Sequence, residues 1–228
     1  MKKITVAIDG YSSTGKSTLA KQLAKHLLYV YVDTGAMYRA ITFFAMQNGY
    51  ISNDFFDKET LINSLKSIQL QFIYNTDLEF AEMHLNTINV EKEIRTMEVS
   101  NYVSKIAEVS QVRAKLVEQQ KEMGKNKGIV MDGRDIGTVV FPDAELKIFM
   151  TASAETRAQR RYEELQLKGD EVTYDEVLEN VQKRDYIDTH REDSPLIMAN
   201  DAIEIDNSYL NKEEQFKIVL ELVNEVLE

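Results

Sequence analysis

Two rhythms of apolar and polar positions alternate along the chain, and the changes between them mark its elements. Ile4-Thr5-Val6-Ala7-Ile8 is β-branched and almost wholly apolar, the pattern of a strand buried on both faces in a parallel sheet. After a Gly-containing turn, Leu19, Leu23 and Leu27 recur at i, i+4 and i+8, flanked by Ala20, Ala24 and Leu28. That stripe predicts a helix with one core-facing side. Tyr29 to Val32 reads as a second strand, and Ala36 to Met46 as a strongly apolar helix stopped at Asn48-Gly49.

From Ile68 the period shortens to two. Ile68, Leu70, Phe72 and Tyr74 alternate with Gln69, Gln71 and Ile73, and Asn75-Thr76-Asp77 makes a turn. Leu78, Phe80 and Met83 fall in a second strand-like run, with Ile88 and Val90 in a short third. This predicts an antiparallel excursion inserted into an α/β chain. The helical rhythm returns from about Val99 to Met123, closed by Gly124. Strands follow at Gly128 to Met131 and Leu146 to Met150, then a heavily charged helix from Ala154 to Lys168. Thr173 and Glu176 have capping-box spacing ahead of a helix reaching about Arg191. Ala202 to Ile205 is a last strand and Asn211 to Leu227 a last amphipathic helix. Strands alternating with helices predict an α/β fold, its parallel sheet covered on both faces.

Composition narrows what such a fold can do. The 228 residues, 43% hydrophobic, suffice for one sizeable core, and only 2 prolines and 9 glycines argue against a long linker. Lys plus Arg is 27 against 38 for Asp plus Glu, a net charge of −11. Docking on nucleic acid or an anionic membrane would call for a basic face, so an anionic ligand must be held by a local cluster of cations. The absence of cysteine excludes disulfides, thiolate metal sites and thiol nucleophiles. The first apolar run is too short for a signal peptide or a membrane span, which makes a cytoplasmic location the default expectation. No nucleic acid or membrane is expected as a partner, and the chain is expected to act as a monomer.

The turn after the first strand carries the chemistry. Gly10-Tyr11-Ser12-Ser13-Thr14-Gly15-Lys16-Ser17 fits G-x-x-x-x-G-K-[ST], directly after a buried strand and before a helix. Glycines let the backbone curl so that successive N–H groups face phosphate oxygens, and the helix N-terminus adds its partial positive charge. Lys16 can reach β- and γ-phosphates, and the Ser17 hydroxyl can ligate Mg²⁺. The expected ATP-binding residues are therefore Gly10 through Thr18, with Ser17 as the metal ligand. The loop alone does not distinguish kinases, motor ATPases and switch GTPases.

A kinase for a small anionic acceptor needs further cations, and arginine grips phosphate in a planar, bidentate way. Arg39 lies in an otherwise apolar helix, where an unmatched guanidinium would be costly. Arg134 follows the third core strand inside the dense charged cluster Asp132-Gly133-Arg134-Asp135-Ile136-Gly137-Thr138, at the strand end where α/β sheets bind ligands. Arg157, Arg160 and Arg161 share one helix face by spacing, as do Arg184, Asp188 and Arg191. A plainer reading stays open for these helical arginines: the first three can pair with Glu163 and Glu164, and Arg184 with Asp188.

The phosphate loop, Asp33-Thr34-Gly35-Ala36-Met37-Tyr38-Arg39, Glu93-Ile94-Arg95-Thr96, Asp132 through Ala144 and Lys183-Arg184-Asp185 together resemble the bacterial cytidylate kinases. The resemblance covers essentially the whole chain. It implies one P-loop kinase domain over residues 1–228, with a core of five parallel strands. A strand-rich acceptor-binding insert would occupy about 62–97 and a mobile helical lid about 153–192. It implies transfer of the γ-phosphoryl group of ATP to CMP or dCMP, with Mg²⁺. By position, Thr34, Arg39 and Arg134 resemble acceptor ligands, and Ser104, Arg113 and Asp135 the readers of cytosine. Arg184 and Asp188 resemble phosphate and ribose contacts, and Arg157, Arg161 and Arg191 the lid arginines. Lys16, Arg134, Arg157, Arg161 and Arg191 are thus the expected catalytic set.

The cytosine assignment makes chemical sense by itself. A carboxylate at Asp135 can accept from the N4 amino group, while Arg113 and Ser104 donate to N3 and O2. Many members of the family have Pro after the first loop glycine and a further glycine within the loop, where this chain has Tyr11 and Ser13. Two other readings remain. A GTPase switch usually carries N-K-x-D, which neither Asn126-Lys127 nor Asn211-Lys212 continues. A kinase for UMP, AMP or a metabolite would share the loop and differ in the acceptor pocket.

Overall fold

A computed structural model describes residues 2–228. Strand β1 (Thr5–Gly10) is buried at all six positions because it runs through the middle of a five-stranded sheet. With β2 (Val30–Asp33), β6 (Ile129–Asp132), β7 (Leu146–Thr151) and β8 (Ile203–Asp206), the strand order is β2-β6-β1-β7-β8. Pairings of β1 with β6, β1 with β7 and β7 with β8 are parallel, with Ile8 opposite both Asp132 and Ile148. This register brings the carboxyl ends of β1 and β6 side by side, so the loops leaving them share one sheet edge.

The chain forms two compact units, one of residues up to Val32 together with Lys121–Glu228, the other Asp33–Gln120. In the first, helices α1 (Lys16–Leu27) and α8 (Lys212–Leu227) lie over the sheet. The leucine stripe on α1 behaves as its spacing predicts: Leu19 and Leu23 are buried, and Leu27 packs against the core formed by Ile4, Val6, Ile8, Val130, Ile148, Val219 and Val223. Helices α6 (Ala154–Leu167) and α7 (Tyr174–His190) pack on each other within the same unit. The capping box at Thr173 and Glu176 is present in both directions, and α8 starts with another at Asn211 and Glu214.

The second unit is built on α2 (Thr34–Gln47), which packs against α4 (Met97–Ala107) and against the antiparallel sheet β3 (Leu70–Asn75), β4 (Phe80–Leu85), β5 (Ile88–Asn89). The expected insert 62–97 falls within this larger unit. A short helix, α3 (Lys58–Ser64), capped by Asp57, had no counterpart in the sequence pattern.

The single helix expected from Val99 to Met123 is two. Helix α4 ends where the Glu108 N–H turns back to Ser104 O and Ile106 O, and α5 (Ser110–Met123) begins after Val109, whose carbonyl accepts from Arg113 N at 3.0 Å. Val99, Val103, Ile106, Val109, Val112 and Leu116 are buried on both sides of the break. Val103, Ile106, Val109 and Val112 follow one another in steps of three, which in one straight helix would swing the buried stripe round by about 180°, at ~100° per residue. The interruption lets both halves stay buried.

Candidate active site

The phosphate loop leaves the end of β1 through a tight approach. A Cβ at Gly10, with φ +140°, would lie 2.0 Å from Met150 O, so only glycine lets the loop start against β7. Ser13 adopts φ 59°, so a residue with a side chain holds the left-handed turn of the curl. Helices α2, α3, α4, α6, α7 and α8 each begin with a side-chain cap, whereas α1 has none and no acidic residue in its first turn. Its first N–H groups are left for another acceptor. The Ser12 hydroxyl is buried without a hydrogen-bond partner among the described residues. Such a group is destabilising until an acceptor or donor meets it, and a phosphate oxygen fits that need.

Lys16 is buried, and its ammonium donates to Tyr11 O and to Thr14 Oγ1. Burial, seconded by the charge of Arg134, holds its pKa well below the ordinary lysine value, although Asp132 and Asp9 oppose the shift. An arriving polyphosphate would oppose that shift by placing negative charge beside the ammonium. Ser17 Oγ donates to Asp132 Oδ2 at 2.9 Å, and Tyr31 OH to Asp132 Oδ1 at 2.8 Å. Hydroxyl plus carboxylate is a hard-oxygen pair suited to Mg²⁺. Asp132 belongs beside Ser17 as a candidate ligand, a role its position at the end of a buried strand signals.

Asp9 ties this edge together. Its carboxylate accepts from Ile136 N at 2.8 Å and Gly137 N at 2.7 Å, at the start of a π-helical turn, Ile136–Val140. The turn that follows Arg134 and Asp135 is thereby pinned to the strand that launches the phosphate loop. Burial pushes the Asp9 carboxyl up to about 7, with the Asp135 charge adding to it and the two backbone donors opposing. Because the folded pKa is raised, the stabilisation it contributes is complete below its unfolded value and is lost as pH rises through about 7. Urea unfolding at a series of pH values should show wild-type stability falling towards pH 8 relative to Asp9→Asn. Parallel profiles would contradict the assignment.

Three of the expected arginines, Arg134, Arg184 and Arg191, surround Asp188, which is buried on α7. Arg134 Nε donates to it at 2.8 Å, and Arg191 Nη1 lies 4.0 Å away. Burial alone would raise the Asp188 carboxyl, but the charges of Arg134, Arg184 and Arg191 outweigh it and hold the group below the usual range. Arg134 also feels the charges of Asp185 and Asp132, so guanidiniums and carboxylates meet here in one cluster, and planar guanidiniums are the groups that grip phosphate.

The three arginines of α6 take separate parts. Arg157 makes a bidentate pair with Asp185, at 2.9 and 2.6 Å, and donates to Ala152 O at 2.9 Å. It also lies 5.1 Å from the Tyr11 ring centroid, with Nη1 3.4 Å from Ser12 O, so it braces the phosphate loop from behind. Arg160 turns to Asn207. Arg161 pairs with Glu164 along its own helix at 2.9 Å, the plainer reading of the spacing.

In the second unit, Asp33 caps α2 by accepting from Ala36 N at 2.9 Å. The same carboxylate receives Arg39 Nη2 at 3.1 Å and Arg95 Nη1 at 2.8 Å, and Arg95 also grips Glu91 at 2.6 Å. Burial would raise the Asp33 carboxyl, but Arg95 and Arg39 together drive it far below the ordinary range. Thr34 is buried at the first turn of α2. Ser104 and Arg113 are both buried, and Arg113 Nη1 reaches back to Ala107 O at 3.4 Å beside the Tyr38 ring, 5.8 Å away. In one straight helix residues nine apart point about 180° from each other, at ~100° per residue. The break at Val109 is what lets the Arg113 side chain return towards the end of α4. The expected acceptor residues thus divide by unit: Thr34, Arg39, Ser104 and Arg113 in the second, Arg134, Asp135, Arg184 and Asp188 in the first.

Comparison with known proteins adds a family. A model described as cytidylate kinase matches residues 6–225. A protein of Flavobacterium johnsoniae named cytidylate kinase is 77% identical over 227 residues, covering 100% of this chain and 99% of its own length. One of Flavobacterium psychrophilum with the same name is 74% identical, covering 99% and 100%. Among solved structures, an uncharacterized protein from Eubacterium ventriosum shares the fold with a TM-score of 0.51 at 11% identity, covering 98% of this chain and 99% of that one.

Proposed function

The chain belongs to the cytidylate kinase family, and from that premise we propose a division of labour for its residues. It phosphorylates CMP or dCMP. In our reading, the loop Gly10–Thr18 holds the phosphates of ATP, with Lys16 on the β- and γ-phosphates. Arg39 and Arg134 hold the acceptor phosphate, Arg184 and Asp188 serve phosphate and ribose, and Ser104, Arg113 and Asp135 read cytosine. The observation that carries the reading is the buried Lys16 on an uncapped helix start, next to the Ser17–Asp132 pair.

Ser17 and Asp132 are the groups that would hold Mg²⁺, which when bound neutralises phosphate charge. The residues of the chain bind and orient. An acceptor phosphate oxygen is already ionised near neutral pH, so no general base is required, and transfer is direct, without a covalent enzyme intermediate. Lys16 and the lid arginines Arg161 and Arg191 stabilise charge on the transferred group. Residues 153–192 act as the lid that excludes water. Arg157, placed by resemblance in the same set, serves through its brace on the phosphate loop. We place the enzyme in the cytoplasm, acting as a monomer; no helix among the described residues is long and apolar enough to cross a membrane. Incubation with ATP, Mg²⁺ and CMP should yield CDP and ADP in equal amounts by anion-exchange chromatography. ADP without CDP would contradict the proposal.

A further inference from the structure

Asn207 was not among the residues the sequence singled out, yet it is fully buried at the end of β8 and satisfied on every side. Its main-chain N–H donates to Thr151 O at 3.0 Å, fastening it to the end of β7. Its side-chain amide donates to Thr14 O in the phosphate loop and to Gln215 Oε1 of α8 at 3.0 Å. Its amide oxygen and main-chain oxygen accept from the two terminal nitrogens of Arg160, at 3.0 and 2.8 Å. The amide nitrogen also lies 3.6 Å from where a Cβ on Gly15 would sit. One residue therefore joins the loop, β7, α6 and α8.

We propose that Asn207 is a positioning residue for phosphoryl transfer. It sets the Thr14–Gly15 turn in a fixed frame with Arg160, so that the N–H groups ahead of Lys16 meet a polyphosphate already oriented. The side chain must donate on one edge and accept on the other, which an amide does and a carboxylate of the same shape does not. An aspartate there would turn an oxygen towards Thr14 O, leaving that carbonyl opposed by an acceptor while keeping the Arg160 contact. The inference rests on the assignment of the loop to the phosphates of ATP.

The test compares the full chain with Asn207→Asp, Arg160→Met and the double variant, each assayed where circular dichroism shows it folded. Asn207→Asp should raise KM for ATP about tenfold, the consequence of one buried polar mismatch, and leave KM for CMP within about twofold. Arg160→Met should raise KM for ATP less. The double variant should cost no more than about the worse single change, because both act through one hub. Equal changes in both KM values, or fully multiplicative effects, would overturn the proposal. If Asn207→Asp does not fold, Gln215→Leu should give the same selective rise in KM for ATP at smaller size, and an unchanged value would be equally fatal. A wild-type chain that turns over ATP and CMP normally while these variants match it sinks this inference alone. A wild-type chain inert towards ATP sinks the loop assignment, and this inference with it.

Discussion

Replacing Lys16 by methionine is expected to lower kcat by about a thousandfold, the loss associated with removing one group aimed at developing charge, while the thermal unfolding midpoint stays close to wild type. The separation of the two effects follows from the surroundings of the ammonium. Lys16 is buried with Arg134 among the charges facing it, and burial already presses it towards neutrality. Its interactions in the free protein, with Tyr11 O and Thr14 Oγ1, are local to the loop. Methionine fills similar volume, so the fold loses little, whereas the bound polyphosphate loses its buried cation. Steady-state kinetics beside a calorimetric melt checks both halves. Turnover within a factor of a few of wild type would remove Lys16 from the chemistry.

The second large effect concerns the base. Asp135 is buried immediately after Arg134, ahead of the turn pinned by Asp9. As a carboxylate it accepts only, which matches the N4 amino group of cytosine and opposes the O4 carbonyl of uracil. Asp135→Asn supplies an amide that can present either edge. The ratio of kcat/KM for CMP over UMP should fall about a hundredfold, within the range by which buried polar mismatches discriminate. An unchanged ratio would remove Asp135 from base recognition.

Much of this arrangement is legible in the linear chain. The phosphate loop can be read because its pattern sits between an apolar run and a helical stripe, and β1 and α1 realise that context. The alternation through Ile68 to Leu85 likewise becomes the β3–β4 hairpin, with Leu70 paired to Leu85. Residue spacing decides which face a side chain leaves from, not what it reaches. Arg157, Arg160 and Arg161 lie within two turns, but Asp185, Asn207 and Glu164 take one each, and the first two partners are 28 and 47 residues distant. Asn207 carries no local signal, since its value lies in four partner residues, Thr14, Thr151, Arg160 and Gln215, from four separate stretches of the chain. The break at Val109 shows in the chain only as steps of three repeated from Val103 to Val112, a drift of about 180° at ~100° per residue. It is easily passed over because apolar residues recur without a gap on both sides. Helix α3 escapes because only Leu61 in it is buried, too little for a period to show.

The most direct test is the specificity constant of the purified chain for each common nucleoside monophosphate at saturating ATP and Mg²⁺. CMP and dCMP should exceed AMP and GMP by at least about two orders of magnitude, as expected when buried hydrogen-bonding groups read the base. Comparable turnover of AMP or GMP would show that the pocket does not select cytosine.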